Sequence, residues 1–334
     1  MNIVVRRGKV AMKAICGLIA AVSLGVAAAA FAQTSYPEQP IKIIVGFPPG
    51  VAPDITSRLL GDKFTETWGK PVVVENVTGA SGNIAVERVA KAAPDGYTLL
   101  MGGNASLVIN PSLIARLPYD PVKDFAYITQ VFIVPNILVV RNDVPATTIQ
   151  ELIALAKARP DYLVAGHAGI GTSQHLGGEL FKIMAGVEIQ QVPYRGSTAV
   201  LPDLLAGHLN IFFGNITNVL PLIREGKLRA FGITSRQRSP RIPELPTMEE
   251  LGFPGFDATA WFGLMAPAGT PPAIIDKLHA ETVRVLALPE VKGKLEGLGV
   301  QLVGNTPAEF AAIIKTETPQ WAKVIKDAGI KLSE

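Results

Sequence analysis

Cysteine is almost missing from the chain. Of 334 residues only Cys16 is one, and it sits in an apolar N-terminal run. The rest of the chain therefore has no disulfide and no thiolate to offer a metal. Histidine is scarce too: His167, His175, His208 and His279 show no H-E-x-x-H or other ligand spacing, so neither a metal nor a cofactor is expected. No G-x-S-x-G nucleophile elbow and no G-x-x-x-x-G-K-[ST] phosphate loop occurs. Gly169-Ile170-Gly171 lacks the third glycine of a dinucleotide fingerprint, because position 174 is Gln. An excess of either charge is also lacking. The totals are 31 Lys and Arg against 28 Asp and Glu, and Arg6, Arg7, Lys9 and Lys13 all fall before residue 33. Beyond that point 27 basic face 28 acidic residues, which excludes the basic face a nucleic-acid partner requires. After residue 32 no stretch is apolar enough to cross a bilayer.

What the N-terminus does have is the order of a secretory signal. Its four basic residues precede an apolar run from Ile15 to Phe31, and Ala30-Phe31-Ala32 is a small-x-small cleavage pattern. Residues 1–32 are expected to be removed after Ala32. An export signal with no cysteine behind it suits a bacterial periplasm. The roughly 300 residues left are enough for about two domains with a sizeable core.

Short β-rich apolar runs alternate with helical periods along that length. Strands are expected at 41–45, 72–75, 97–101, 137–140, 163–166, 189–192, 211–213, 230–234 and 262–266. Most are apolar on both faces, as parallel strands covered by helices are. Leu176, Leu180, Ile183 and Met184 follow a helical stripe. Thr270-Pro271 opens one late helix, and Thr306-Pro307-Ala308-Glu309 is a capping box for another. The pattern predicts an α/β fold of two lobes, each a mostly parallel sheet flanked by helices. With no linker in sight, the lobes are expected to be joined by crossing strands near 128–136 and 259–262. Lobe 1 would comprise 33–132 with 256–334, and lobe 2 would comprise 133–255.

The turns after the strands are rich in Gly, Ser, Thr and Asn. They are 46–54, 78–83, 102–106, 169–175 and 194–198. Free N–H groups at a helix start carry partial positive charge, and glycine lets an anion approach them. One such turn is more often a helix cap, and Asp54, Ser81, Thr172 and Ser197 are candidate caps. Five in one α/β chain point to an anion site beyond the carboxyl ends of the strands.

At these loops the sequence resembles the receptor family of tripartite tricarboxylate transporters, the Bug family. The matching stretches are Pro71–Asn76, Gly82-Asn83, Ala93–Leu100, Gly171–Leu176, Val192–Gly196 and Trp261–Pro267. The resemblance implies a two-lobed periplasmic binding protein of the Venus-flytrap kind that closes on an organic acid. It also implies a monomer that delivers its ligand to the membrane subunits of a transporter. One stretch departs from the family pattern. Where a Gly-Gly-Gly-x-Asp-like turn follows the first strand, this chain has Gly50-Val51-Ala52-Pro53-Asp54. Val51 and Ala52 resist positive φ, and Pro53 donates no hydrogen bond. Pro202, early in the helix after Ser197, is expected to delay that helix.

The expected ligand site uses Phe47 as a lining ring, with Asp54 ordering its loop. Ser81, Gly82 and Asn83 take a carboxylate, and Asn104 and Ser106 add contacts. Thr172, Ser173 and His175 meet the ligand from lobe 2, where Tyr194, Gly196, Ser197 and Asn215 complete the cleft. Arg195 either pairs with a second carboxylate or salt-bridges a surface acid. Two other readings stay open: a periplasmic hydrolase or lyase using Ser173 and His175, and a ligand-sensing co-receptor.

Overall fold

A computed structural model describes residues 36–327, 329 and 330. The expected signal segment, with Cys16 and the cleavage point after Ala32, lies outside the described residues. The chain divides into two units, 1–39 and 40–334. Of the first, residues 36–39 are described and form no regular element. All that follows concerns the second.

That unit opens with β1 (Ile41–Val45), α1 (Ala52–Trp68), β2 (Val72–Asn76), α2 (Asn83–Ala90) and β3 (Thr98–Gly103). A π-helical turn (Ala105–Ile109), the short α3 (Asn110–Leu113) and β4 (Phe125–Val134) come next. The middle contains β5 (Asn136–Arg141), α4 (Ile149–Ala158), β6 (Val164–His167), α5 (Ser173–Ala185) and β7 (Gln190–Pro193). It continues through α6 (Ser197–Ala206), β8 (Ile211–Asn215), α7 (Ile216–Arg224) and β9 (Leu228–Ile233). The last part is β10 (Ala260–Pro267), α8 (Pro272–Leu286), α9 (Pro289–Gly297), β11 (Gln301–Leu302) and α10 (Pro307–Asp327).

The strands form two sheets, one lobe on each. The first runs β11-β4-β10-β3-β1-β2 and the second β7-β6-β8-β5-β9. Parallel pairing holds where a helix returns the chain, at β1–β2, β1–β3, β6–β7 and β6–β8. The strands next to the crossings, β10 and β5, pair antiparallel with both neighbours, so each sheet is mixed. All nine strands expected from the sequence are present. Two more join them: β4, which covers most of the expected crossing segment, and the two-residue β11.

Local chemistry sets the helix ends. Thr148 and Glu151 exchange hydrogen bonds as a capping box on α4. On α10 the Thr306 hydroxyl accepts from the Glu309 N–H, and the Glu309 carboxylate accepts from the Thr306 N–H, worth ~1 kcal/mol. Gly69, with φ 65°, closes α1 in the left-handed region. Pro202 does not delay α6. The helix starts at Ser197 and carries Pro202 inside it; proline's fixed φ is compatible with the helix, at the cost of its i−4 hydrogen bond and crowding against the carbonyl there.

Pro135 alone separates β4, in the first sheet, from β5, in the second. The return crossing is equally tight. Ala258 packs in the core of the second sheet, while Ala260 already pairs with Val134 in the first. Asn136 ties the two crossings together. Its Nδ2 donates to the Ala258 carbonyl at 2.7 Å and to Ser173 Oγ at 3.0 Å, its N–H donates to Thr234 Oγ1 at 3.0 Å, and its Oδ1 accepts from Asn215 Nδ2 at 2.7 Å. Every polar group of this fully buried side chain is used, so it fixes where the backbone can bend.

Candidate functional site

A cavity of about 710 Å³ lies between the two sheets. The carboxyl ends of the parallel strands put it there, because each strand-to-helix turn empties onto that side. The starts of five helices reach its lining: Val51 to Pro53 on α1, Gly82 and Asn83 on α2, Thr172 to Gln174 on α5, Gly196 to Thr198 on α6, and Asn215, Thr217 and Asn218 on α7. Each contributes N–H groups without an intrahelical partner and the positive end of a helix dipole. Among the described residues of the lining, only Arg195 has a charged side chain. The guanidinium makes no ion pair with a surface acid among the described residues.

The turn from β2 to α2 holds the most unusual backbone. Gly79, Ala80, Ser81 and Gly82 all have positive φ (131°, 46°, 55° and 94°). Two of the four are not glycine, and each such residue costs ~1 kcal/mol or more. The Gly82 and Asn83 N–H groups are used within the turn, on the carbonyls of Gly79 and Ala80. Ala80 and Ser81 themselves line the cavity. Ser81 Oγ donates across the cleft to the Ile170 carbonyl at 2.9 Å, bringing the lobes into direct contact.

Asp54 organises the first turn from beneath. Its carboxylate accepts from the Gly50 N–H at 2.8 Å, Arg58 Nε at 3.0 Å and Asn76 Nδ2 at 2.9 Å. Burial alone would raise its pKa, but the bonds from Arg58, Gly50 and Asn76 outweigh that and hold the carboxyl below its ordinary value. Asp54 sits inside α1 rather than capping it, and it does not line the cavity. Its carboxylate is engaged with the turn itself, at the Gly50 N–H. Of the other candidate caps, Thr172 caps α5 by accepting from the His175 N–H, whereas Ser81 lies before α2 and Ser197 is the first residue of α6.

Two further expected residues, Ser106 and His175, are not in the lining of the cavity. Ser106 is buried and donates to the Gly103 carbonyl at 3.2 Å. His175 packs its ring 4.5 Å from that of His167. The two rings support the 169–171 turn from below: the Nδ1 of His167 accepts from the Gly169 N–H, and that of His175 accepts from the Gly171 N–H. Burial first, then His175, brings the His167 pKa down to about 4; burial first, then Lys182, does the same for His175. Ser173 Oγ accepts from Asn136, so Ser173 and His175 form no nucleophile–base pair.

The remaining expected residues, Phe47, Ser81, Gly82, Asn83, Asn104, Thr172, Ser173, Tyr194, Arg195, Gly196, Ser197 and Asn215, all line the cavity. Several are committed elsewhere as well. Asn83 Oδ1 accepts from Asn110 Nδ2, Asn104 holds the Thr259 carbonyl, and the Tyr194 hydroxyl donates to Asp203 at 2.6 Å. Sequence reasoning missed Gln174, Thr217 and Asn218. The last two follow β8 in the same strand-then-polar pattern used for the other turns, and that signal would have found them.

Comparison with known proteins agrees with this geometry. The model of the tripartite tricarboxylate transporter family receptor matches residues 56–330. The chain belongs to that family. Its members are solute-binding receptors, not enzymes. Three solved structures are similar to the chain. Rpa4515 of R. palustris, solved with adipate, is 35% identical with a TM-score of 0.83, covering 89% of this chain and 99% of its own. The periplasmic binding protein BugD is 36% identical at 0.81, covering 89% and 99%. MatC of Rhodopseudomonas palustris, solved with malate, is 33% identical at 0.80, covering 87% and 100%. The receptor has the two-lobed periplasmic binding-protein fold, and among the described residues no helix is long and apolar enough to cross a membrane.

Proposed function

We propose that this receptor captures a small organic acid in the cavity, closes its lobes over it, and delivers it to the membrane subunits of a tripartite tricarboxylate-type transporter. The observation that carries the reading is the convergence of five helix starts on a cavity whose lining includes no acidic side chain. Such a place favours an anion, at ~0.3–1 kcal/mol for each helix dipole. The ligand class is an aliphatic di- or tricarboxylate or an aromatic acid. The adipate and malate of Rpa4515 and MatC are consistent with it.

The roles follow the geometry. The Ala80 and Ser81 N–H groups take one carboxylate, with Gly82, Asn83 and Asn104 behind them. The starts of α5 and α6, with Asn215, face it from the second lobe. Arg195 receives a second acid group. We place the bend between the lobes at Pro135 and near Thr259, with 136–258 forming lobe 2. Residues 1–32 direct export to the periplasm, and the receptor acts as a monomer.

A ligand touching both lobes binds the closed state better and shifts the population toward it. Small-angle scattering on stripped protein tests this: the radius of gyration should fall when a binding acid is added. An unchanged radius at saturation would refute closure.

A further inference from the structure

We propose that the turn from β1 to α1 is a specificity wall that receives the hydrocarbon body of the ligand and selects against hydroxylated acids. This rests on the carboxylate reading above and narrows it. The wall is made by Val51, Ala52 and Pro53, which line the cavity. Phe47 lies beside them, with its ring 5.2 Å from that of Phe262 at 85°.

The polar groups of this turn are largely spent within the protein. Pro48, Pro49 and Pro53 have no N–H. The Gly50 N–H is taken by Asp54. The Phe47 carbonyl accepts from Asn76 Nδ2 at 3.0 Å, the Val51 carbonyl from the Ile55 N–H at 3.0 Å, and the Pro53 carbonyl from Ser57 Oγ at 2.7 Å. What the turn presents sideways to a ligand is carbon. Its remaining donors at the helix start, the N–H groups of Val51 and Ala52, suit an acceptor rather than a hydroxyl proton.

Much of the opposite face is committed as well. Thr172 Oγ1 donates to the Gly169 carbonyl at 2.7 Å, Ser173 Oγ accepts from Asn136, and Gln174 Nε2 donates to Asn215 Oδ1 at 2.8 Å. Ser197 and Thr198 follow Arg195 in the lining, and the turn they belong to meets the wall's turn where Gly196 lies against Pro48. A ligand hydroxyl held against the wall would lose water and find no free acceptor for its proton among these groups.

Isothermal titration of purified, refolded protein with three matched pairs tests this. The pairs are succinate with tartrate, adipate with galactarate, and cyclohexanecarboxylate with quinate, which differ within each pair by hydroxyl groups. In every pair that binds, the unhydroxylated acid should bind about tenfold tighter or better. Val51→Thr keeps the shape of the half-buried side chain and adds a hydroxyl to the wall, so it should narrow that ratio severalfold; because Val51 is the uncapped N-cap of α1, the threonine should hold or raise the apo melting temperature rather than lower it. Val51→Gly with Pro53→Gly removes the wall and should narrow the ratio further. Equal or tighter binding of the hydroxylated partner, or a ratio that neither variant moves, overturns the proposal and leaves the carboxylate reading standing. Failure of all six acids to bind at millimolar concentration overturns the carboxylate reading and this proposal with it.

Discussion

Lowering the pH from 7 toward 4 should destabilise the receptor through the two histidines beneath the β6–α5 turn. Each ring accepts a backbone hydrogen bond at Nδ1, His167 from Gly169 and His175 from Gly171. A nitrogen that accepts is unprotonated, so an imidazolium gives up that bond. Both rings are buried, with His167 1% and His175 7% exposed. In the fold both titrate at about 4 rather than at the ordinary 6.5. Between those values the unfolded chain binds more protons than the folded one, so stability rises with pH. The contribution is complete above about pH 6.5 and is lost as pH falls toward 4. A shift of this size is worth on the order of 3 kcal/mol for one ring. Urea unfolding of wild type and of His175→Gln at pH 7 and pH 4.5 measures it. Glutamine can still accept from the Gly171 N–H but does not titrate. The variant should be somewhat less stable at pH 7 and should lose ~2 kcal/mol less than wild type on going to pH 4.5. Other titrating groups cancel in that difference. Equal losses in the two proteins would refute the reasoning.

Asp54→Ala leaves the Gly50 N–H, Arg58 and Asn76 without their shared acceptor. It should cost ~2 kcal/mol in urea unfolding and weaken ligand binding through a loosened first turn, although the residue does not touch the cavity. Glu317 accepts from Trp261 Nε1 at 2.8 Å, and burial, with Asp257 also raising it, lifts its pKa to about 7 against the donors Trp261 and Trp321. A raised acid loses stability as pH rises from 4.5 through 7. Glu317→Gln should therefore match wild type near pH 4 and exceed it by ~1–3 kcal/mol at pH 8 in thermal unfolding. Arg195→Gln should weaken a diacid about tenfold in calorimetry and leave a monoacid almost unchanged, because only the second acid group loses a charged partner.

Most strands were legible because each is a short apolar run, often β-branched or aromatic, bounded by Gly, Pro or polar residues. The period of two or 3.6 then decides the element. β4 was legible only as an extended crossing, since nothing in its residues says that it pairs with β10 over Phe125–Val134. Pro202 misled because its ring forbids a hydrogen bond without forbidding the helical φ it occupies in α6. In the site, the turns were legible from composition and position. The side-chain directions were not. Asp54, Ser106 and His175 each sit next in sequence to a lining residue, yet are buried outside the lining. The same blindness hid Asn136, a single amide between two strands whose importance comes from bonds to residues far along the chain at Ser173, Asn215 and Ala258.

The most direct test of solute capture is a thermal-shift screen of refolded protein against mono-, di- and tricarboxylic and aromatic acids, with refolding used to strip any ligand carried through purification. A bound acid at 100 times its Kd adds ~2.7 kcal/mol of stability, which for a chain of this size is roughly 5 °C in Tm. At least one acid should raise the midpoint by several degrees, in a concentration-dependent way that uncharged analogues do not reproduce. A midpoint that no acid moves at millimolar concentration would contradict the account.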